Sequence, residues 1–131
     1  MEESILFEIL KEMQKKYTFI VEIERITREM GDALSRNDRE SVQLLLGMRQ
    51  DEMNKADVCT RNVDCLVSAL SPEDGSQVRE WLNCDGGRNP DSPIAGMLVE
   101  KRKSIQLALK RTIEADRYIS MRLSGKDSFY Q

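Results

Sequence analysis

The chain contains no histidine. That removes the commonest general acid–base side chain and the commonest metal ligand, and with them any Ser-His-Asp or Cys-His arrangement. Aromatic residues are only 5% of the sequence, while charged residues reach 33%. Such a balance argues against a sandwich or barrel and for long amphipathic helices. No apolar run approaches the roughly 18 residues of a membrane span. The opening Met1-Glu2-Glu3-Ser4 is acidic and lacks the basic start of a signal peptide, so the expected location is cytoplasmic.

Cysteine is sparse too. Cys59, Cys65 and Cys84 are odd in number and form no C-x-x-C. Without histidine, a zinc site would need carboxylates to complete it. All three are read as reduced thiols with packing roles, and no metal or other cofactor is expected. Gly86-Gly87-Arg88 lacks the pattern of a phosphate loop and follows no strand. Carboxylate pairs such as Glu22 with Glu29 or Asp51 with Glu52 fall on charged, solvated faces. The chain is therefore read as a protein without enzymatic activity.

What is present, over 131 residues, is helical periodicity. Leu6, Ile9, Met13, Tyr17, Ile20, Ile23, Ile26, Met30 and Leu34 recur in steps of three and four, predicting a first helix over 3–36. Asn37 caps the next, with Glu40 in the capping-box position. The second stripe, Val42, Leu45, Arg49, Met53, Ala56, Cys59, Val63, Leu66 and Leu70, predicts a helix over 38–70. Arg49 is its only charge, with a stem that can cover apolar surface while the head reaches water. Ser71-Pro72-Glu73-Asp74 opens a short helix through Val78, Trp81 and Leu82. Residues 84–91 form the one clear loop, and Ser92-Pro93 repeats the start signal. The last stripe runs Ile94, Met97, Leu98, Lys101, Ile105, Ala108, Thr112, Ala115, Ile119, Leu123, predicting a helix over 93–124 that stops at Gly125.

The expected fold is all-α: an elongated antiparallel bundle of three long helices plus one short helix. Residues 1–125 form a single domain, and 126–131 a short C-terminal tail. Coiled-coil-like packing follows from the three–four spacing.

Net charge is −3, unevenly spread. Residues 1–92 carry 12 Lys/Arg against 19 Asp/Glu, and residues 93–131 carry 8 against 4. The acidic total excludes a general nucleic-acid binder. Either the basic last helix lies against acidic neighbours, or it offers a face to an acidic partner or a membrane surface. Lys101-Arg102-Lys103 with Lys110-Arg111 reads as a solvated face. More telling is an apolar surplus beside the seams: Phe7, Phe19, Val21, Leu44, Leu46, Met48, Val99, Leu107, Leu109 and Met121. The short Trp81 helix can cover some of these. The rest are either ordinary exposed residues or a groove for a partner's apolar helix, and seven methionines suit an adaptable surface. Phe129-Tyr130 lies past Gly125 and either folds back on the bundle or serves as a docking peptide.

A run of residues in the first half is similar to a known family. It is Ala33-Leu34-Ser35-Arg36-Asn37-Asp38-Arg39-Glu40-Ser41-Val42-Gln43-Leu44-Leu45, followed by Arg49 and Met53. The last helix, from Met97 through Ile105, Leu109, Ile113 and Ala115-Asp116-Arg117 to Leu123, continues the likeness. Together they resemble the FlgN-like flagellar export chaperones over nearly the whole chain. That family often carries lysine where Arg49 stands and asparagine where Asp116 stands. The resemblance implies a cytosolic chaperone of type III flagellar export. Its client would be the C-terminal helical segment of hook–filament junction (hook-associated) proteins, delivered to the export apparatus. It further implies a client surface at Ile105, Leu109, Met121 and Leu123, and an export-gate contact through an aromatic, Tyr118 or Tyr130. The alternative is a self-associating coiled-coil module, structural or regulatory, whose seams make a homo-oligomer. Neither reading involves nucleic acid or membrane insertion.

Overall fold

The structure, a computed structural model, describes residues 2–83 and 90–128, with side chains through Arg122. Among the described residues four helices follow in order: α1 (Glu3–Ser35), α2 (Arg39–Ser68), α3 (Pro72–Asn83) and α4 (Pro93–Ser128). No strand forms among the described residues. The fold is the expected all-α bundle of three long helices and one short one.

Local chemistry sets the helix ends. Asn37 takes a left-handed conformation, φ 56°. Its N–H donates to the Leu34 carbonyl, and the Asp38 N–H donates to the Ala33 carbonyl at 2.9 Å. This is a Schellman closure, and asparagine tolerates its positive φ better than most residues. The Asp38 carboxylate then accepts the Ser41 N–H at 3.1 Å and the Ser41 hydroxyl at 2.6 Å. The predicted cap therefore shifts by one residue: Asn37 ends α1, and Asp38 starts α2. Ser71 and Ser92 cap α3 and α4 as expected, their hydroxyls accepting the N–H groups of Asp74 and Ala95, each at 3.2 Å.

Gly125 does not stop α4, which continues to Ser128 and takes in the start of the predicted tail. Glycine ends a helix by turning left-handed, and no described glycine has positive φ. Inside a helix it costs only about 1 kcal/mol relative to alanine. Most of the predicted 84–91 loop lies outside the described residues.

α2 returns antiparallel to α1, and α4 runs parallel to it. Glu24, Gly31 and Ser35 of α1 meet Arg111, Ile119 and Arg122 of α4 in the same order. α1 packs on both neighbours, yet among the described residues no α2 Cα comes within 8 Å of an α4 Cα. α3 touches α2 and α4. The main core gathers Leu6, Ile9 and Met13 with Val63, Val67, Val78, Trp81, Ile94 and Leu98. A second cluster, Ile26, Met30, Ala33, Leu45 and Ile119, sits toward the α1–α2 turn. Each fully buried Leu or Ile in these clusters contributes on the order of 1.5–3 kcal/mol.

Two sequence expectations change here. Arg102 is buried rather than solvated, because it shares a helix face with Leu98 and Ile105. Met97 falls on the predicted seam of the last helix, but it is exposed. No helix among the described residues is long and apolar enough to cross a membrane.

Candidate partner-binding groove

Three rows with strict four–three spacing face one another. α1 supplies Ile9, Met13, Lys16, Ile20, Ile23 and Thr27. α2 supplies Arg49, Met53, Ala56, Thr60, Val63 and Val67, and α4 supplies Leu98, Arg102, Ile105, Leu109, Thr112 and Asp116. Such spacing keeps each row on one helix face. Because α2 and α4 stand apart on either side of α1, the rows border a cleft with α1 as its floor.

One end of the cleft is filled. Val78 and Trp81 of α3 pack with Ile9, Met13, Val63, Val67 and Leu98 in a single buried cluster. α3 comes so close to α2 that a Cβ at Gly75 would lie 3.3 Å from the Val67 carbonyl oxygen. The other stretch is open and has a volume of about 390 Å³. Ile20 and Ile23 form its floor, Met53 and Ala56 one wall, and Leu109, Thr112 and Ile113 the other. Lys16 and Asp57 also line it. Leu109 is 39% exposed and Ile113 56%.

The far end is polar. The Arg49 guanidinium Nη1 donates to Asp116 Oδ1 at 2.7 Å and to Thr27 Oγ1 at 3.4 Å. Thr27 in turn donates to the Ile23 carbonyl at 2.7 Å. The Arg49 side chain is 17% exposed, so its head reaches partners on α1 and α4 instead of open water as the sequence suggested.

Outside the groove, Arg111 Nε donates to both Glu24 carboxylate oxygens, at 3.2 and 3.3 Å, and Arg28 Nη2 donates to one at 3.0 Å. Burial acts to raise the Glu24 pKa, but the two guanidinium groups outweigh it and hold the carboxyl below its ordinary range. The basic last helix thus does meet an acidic neighbour. Burial, with Glu12 alongside, pushes the Cys59 thiol up. Cys59 and Cys65 are free thiols, and Cys84 lies outside the described residues.

The predicted contact residues divide. Leu109 lines the groove. Ile105 is only 7% exposed and packs in the main core, which removes it from any surface a partner could touch in this conformation. Tyr118 lines a different cleft, of about 600 Å³, with Gly31, Asp32 and Arg122, and its ring lies 5.9 Å from the Arg122 guanidinium. Met121 is exposed on the same helix. The Leu123 side chain, Phe129 and Tyr130 lie outside the described residues. A further cleft, of about 430 Å³, is lined by Phe7, Leu10 and Met97 between α1 and α4.

Met53, Ile113, Ile20 and Ile23 were not singled out as contact residues from the sequence. The signal that could have found them is the four–three row shared by three helices, with Ile113 one position from Thr112. Comparison of the chain with protein-family models, curated proteins and solved structures finds no match.

Proposed function

We propose that this protein is a helix-binding chaperone of flagellar type III export, of the FlgN-like kind. In this reading it holds the C-terminal helical segment of a hook-associated protein in the cytoplasm and passes it to the export apparatus. The observation that carries the reading is the uncovered apolar groove between α2 and α4. Apolar side chains on a hydrophilic chain are costly to leave in water, and a partner's amphipathic helix is the shape that removes them from it. Leu109, which the family resemblance places on the client surface, lies on this groove. Arg49 and Asp116, the two positions that differ from the family pattern, pair with each other across it.

The function proposed is contact alone. A client segment that stays unfolded until captured would be ordered as it binds, and the cost of that ordering lowers the affinity per unit of buried surface, which favours later release. Co-purification of the full chain with the C-terminal segments of hook-associated proteins tests the reading. A soluble 1:1 complex is the expected result, and its absence with the chain folded and the segment soluble overturns the assignment.

A further inference from the structure

We infer that the client helix occupies the open stretch between α2 and α4 as an end-to-end continuation of α3. This rests on the chaperone reading and specifies where and how the client is held.

α3 already shows what fits between these helices. It is a 12-residue amphipathic helix, and it buries Gly75, Val78 and Trp81 at three-residue spacing. Its seat on α2 and α4 continues without a break in spacing into the open stretch. Val67 and Val63 lead through Thr60 to Ala56 and Met53, and Leu98 leads through Arg102 and Ile105 to Leu109. The uncovered groove is therefore more of an existing helix seat.

Length selects the occupant. From Lys16 to Thr27 the floor spans roughly 16 Å at about 1.5 Å per residue. A helix of about eleven residues fills it, close to the size of α3. The long helices of a second copy have 33, 30 and 36 residues. Laid along the seat, each would run into α3 at one end and the Arg49–Asp116 pair at the other. A short partner helix meets neither.

The lining specifies its chemistry. The exposed apolar lining, Met53, Leu109 and Ile113, calls for apolar residues at three- or four-residue spacing along one face of that helix. Lys16 and Asp57, both on the lining, each offer a partner to an oppositely charged residue of that helix.

The test uses the full chain with the C-terminal segment of a hook-associated protein as probe. Ile113→Asp and Met53→Asp change exposed side chains in the groove. Met97→Asp changes an equally exposed side chain in the α1–α4 cleft. Circular dichroism of each variant confirms that the bundle is folded. The two groove variants are expected to weaken binding by about tenfold or more, as for loss of an apolar anchor, with Met97→Asp within about twofold of the parent. Equal binding by the parent and both groove variants overturns the seat and leaves the chaperone reading standing. Failure of the parent to bind any such segment overturns the chaperone reading and the client seat with it. A parent homodimer that Ile113→Asp converts to monomer assigns the groove to a second copy and overturns the partner helix.

Discussion

Arg49 of α2 and Asp116 of α4 are 67 residues apart in the chain and 2.7 Å apart in space. Their ion pair links two helices whose backbones do not pack on each other. Arg49 is largely sheltered, whereas Asp116 is 49% exposed, so the pair stands at the edge of the core. Because Thr27 of α1 accepts from the same guanidinium nitrogen, one side chain ties three helices at the polar end of the groove.

Breaking this tie is expected to cost a modest amount. Asp116→Ala leaves the sheltered guanidinium with Thr27 alone and lowers stability by about 1 kcal/mol, within the range for partly exposed pairs. A double-mutant cycle with Arg49→Met, read by urea unfolding, isolates the coupling. Arg49→Lys keeps the charge but loses the fixed fork of donors, so it is expected to recover only part of the loss. A coupling of zero would mean that the pair forms without holding α2 and α4 together.

Glu24 gives the bundle an acid-sensitive contact. Its carboxyl titrates below the ordinary glutamate value of about 4.3, because Arg28 and Arg111 outweigh the effect of its burial. Its stabilising contribution is complete above that ordinary value and is lost as pH falls through the depressed folded value. Glu24→Gln should lower stability at pH 7 by about 1–2 kcal/mol and flatten part of the fall in melting temperature between about pH 5 and pH 3. An unchanged acid limb would show that Arg28 and Arg111 do not act through this carboxylate.

Three helical glycines should respond differently to alanine. A Cβ at Gly31 would meet Ile119 at 3.7 Å, an ordinary contact, and one at Gly47 would meet nothing within 4 Å. Both substitutions should raise stability by about 0.5–1 kcal/mol through helix propensity. At Gly75 the Cβ would stand 3.3 Å from the Val67 carbonyl, held in the α2 backbone. Gly75→Ala should therefore push α3 away from α2 and lower stability. Chemical denaturation of the three variants checks the order, and a stabilised Gly75→Ala would falsify the close seating of α3.

Trp81 is the chain's single tryptophan and is buried. Its fluorescence reports on α3, and the native emission should be blue-shifted. Trp81→Ala leaves a large void beneath α3 and is expected to cost about 3–5 kcal/mol. A much smaller loss in thermal or denaturant unfolding would show that α3 is dispensable to the core.

The two described thiols should differ in reactivity. Cys65 is exposed, whereas Cys59 is buried and its thiol is pushed toward the protonated form. The thiolate is the reactive species. Brief alkylation of the native protein followed by peptide mass analysis should find Cys65 modified and Cys59 untouched until the chain is unfolded. Equal labelling would mean that α1 and α2 open readily at this point.

The caps at Ser71 and Ser92 and the buried stripe from Leu6 to Met30 were legible in the sequence because they depend on neighbours a few residues away. The Asn37–Asp38 boundary was misplaced by one residue: both side chains can cap, and only the backbone shows which of them turns left-handed. Gly125 looked like a stop for a related reason, since a glycine permits a left-handed turn without requiring one. At the groove, Leu109 was found and Ile105 was assigned to the surface, although both are apolar and share one row. Sequence period cannot tell them apart, since exposure depends on what lies across the cleft.

The sequence by itself determined that this protein is a set of long amphipathic helices, because a 3.6-residue repeat and its end caps are properties of a single stretch of chain. It also carried the three–four rows that any packing of those helices must use. Only the tertiary structure decided that α2 and α4 flank α1 without closing on each other. It also decided that α3 fills one end of the resulting cleft while Met53, Leu109 and Ile113 stay uncovered. The distance between helices far apart in sequence sets those outcomes. That distance follows from the sum of many side-chain contacts, which no single stretch of chain contains.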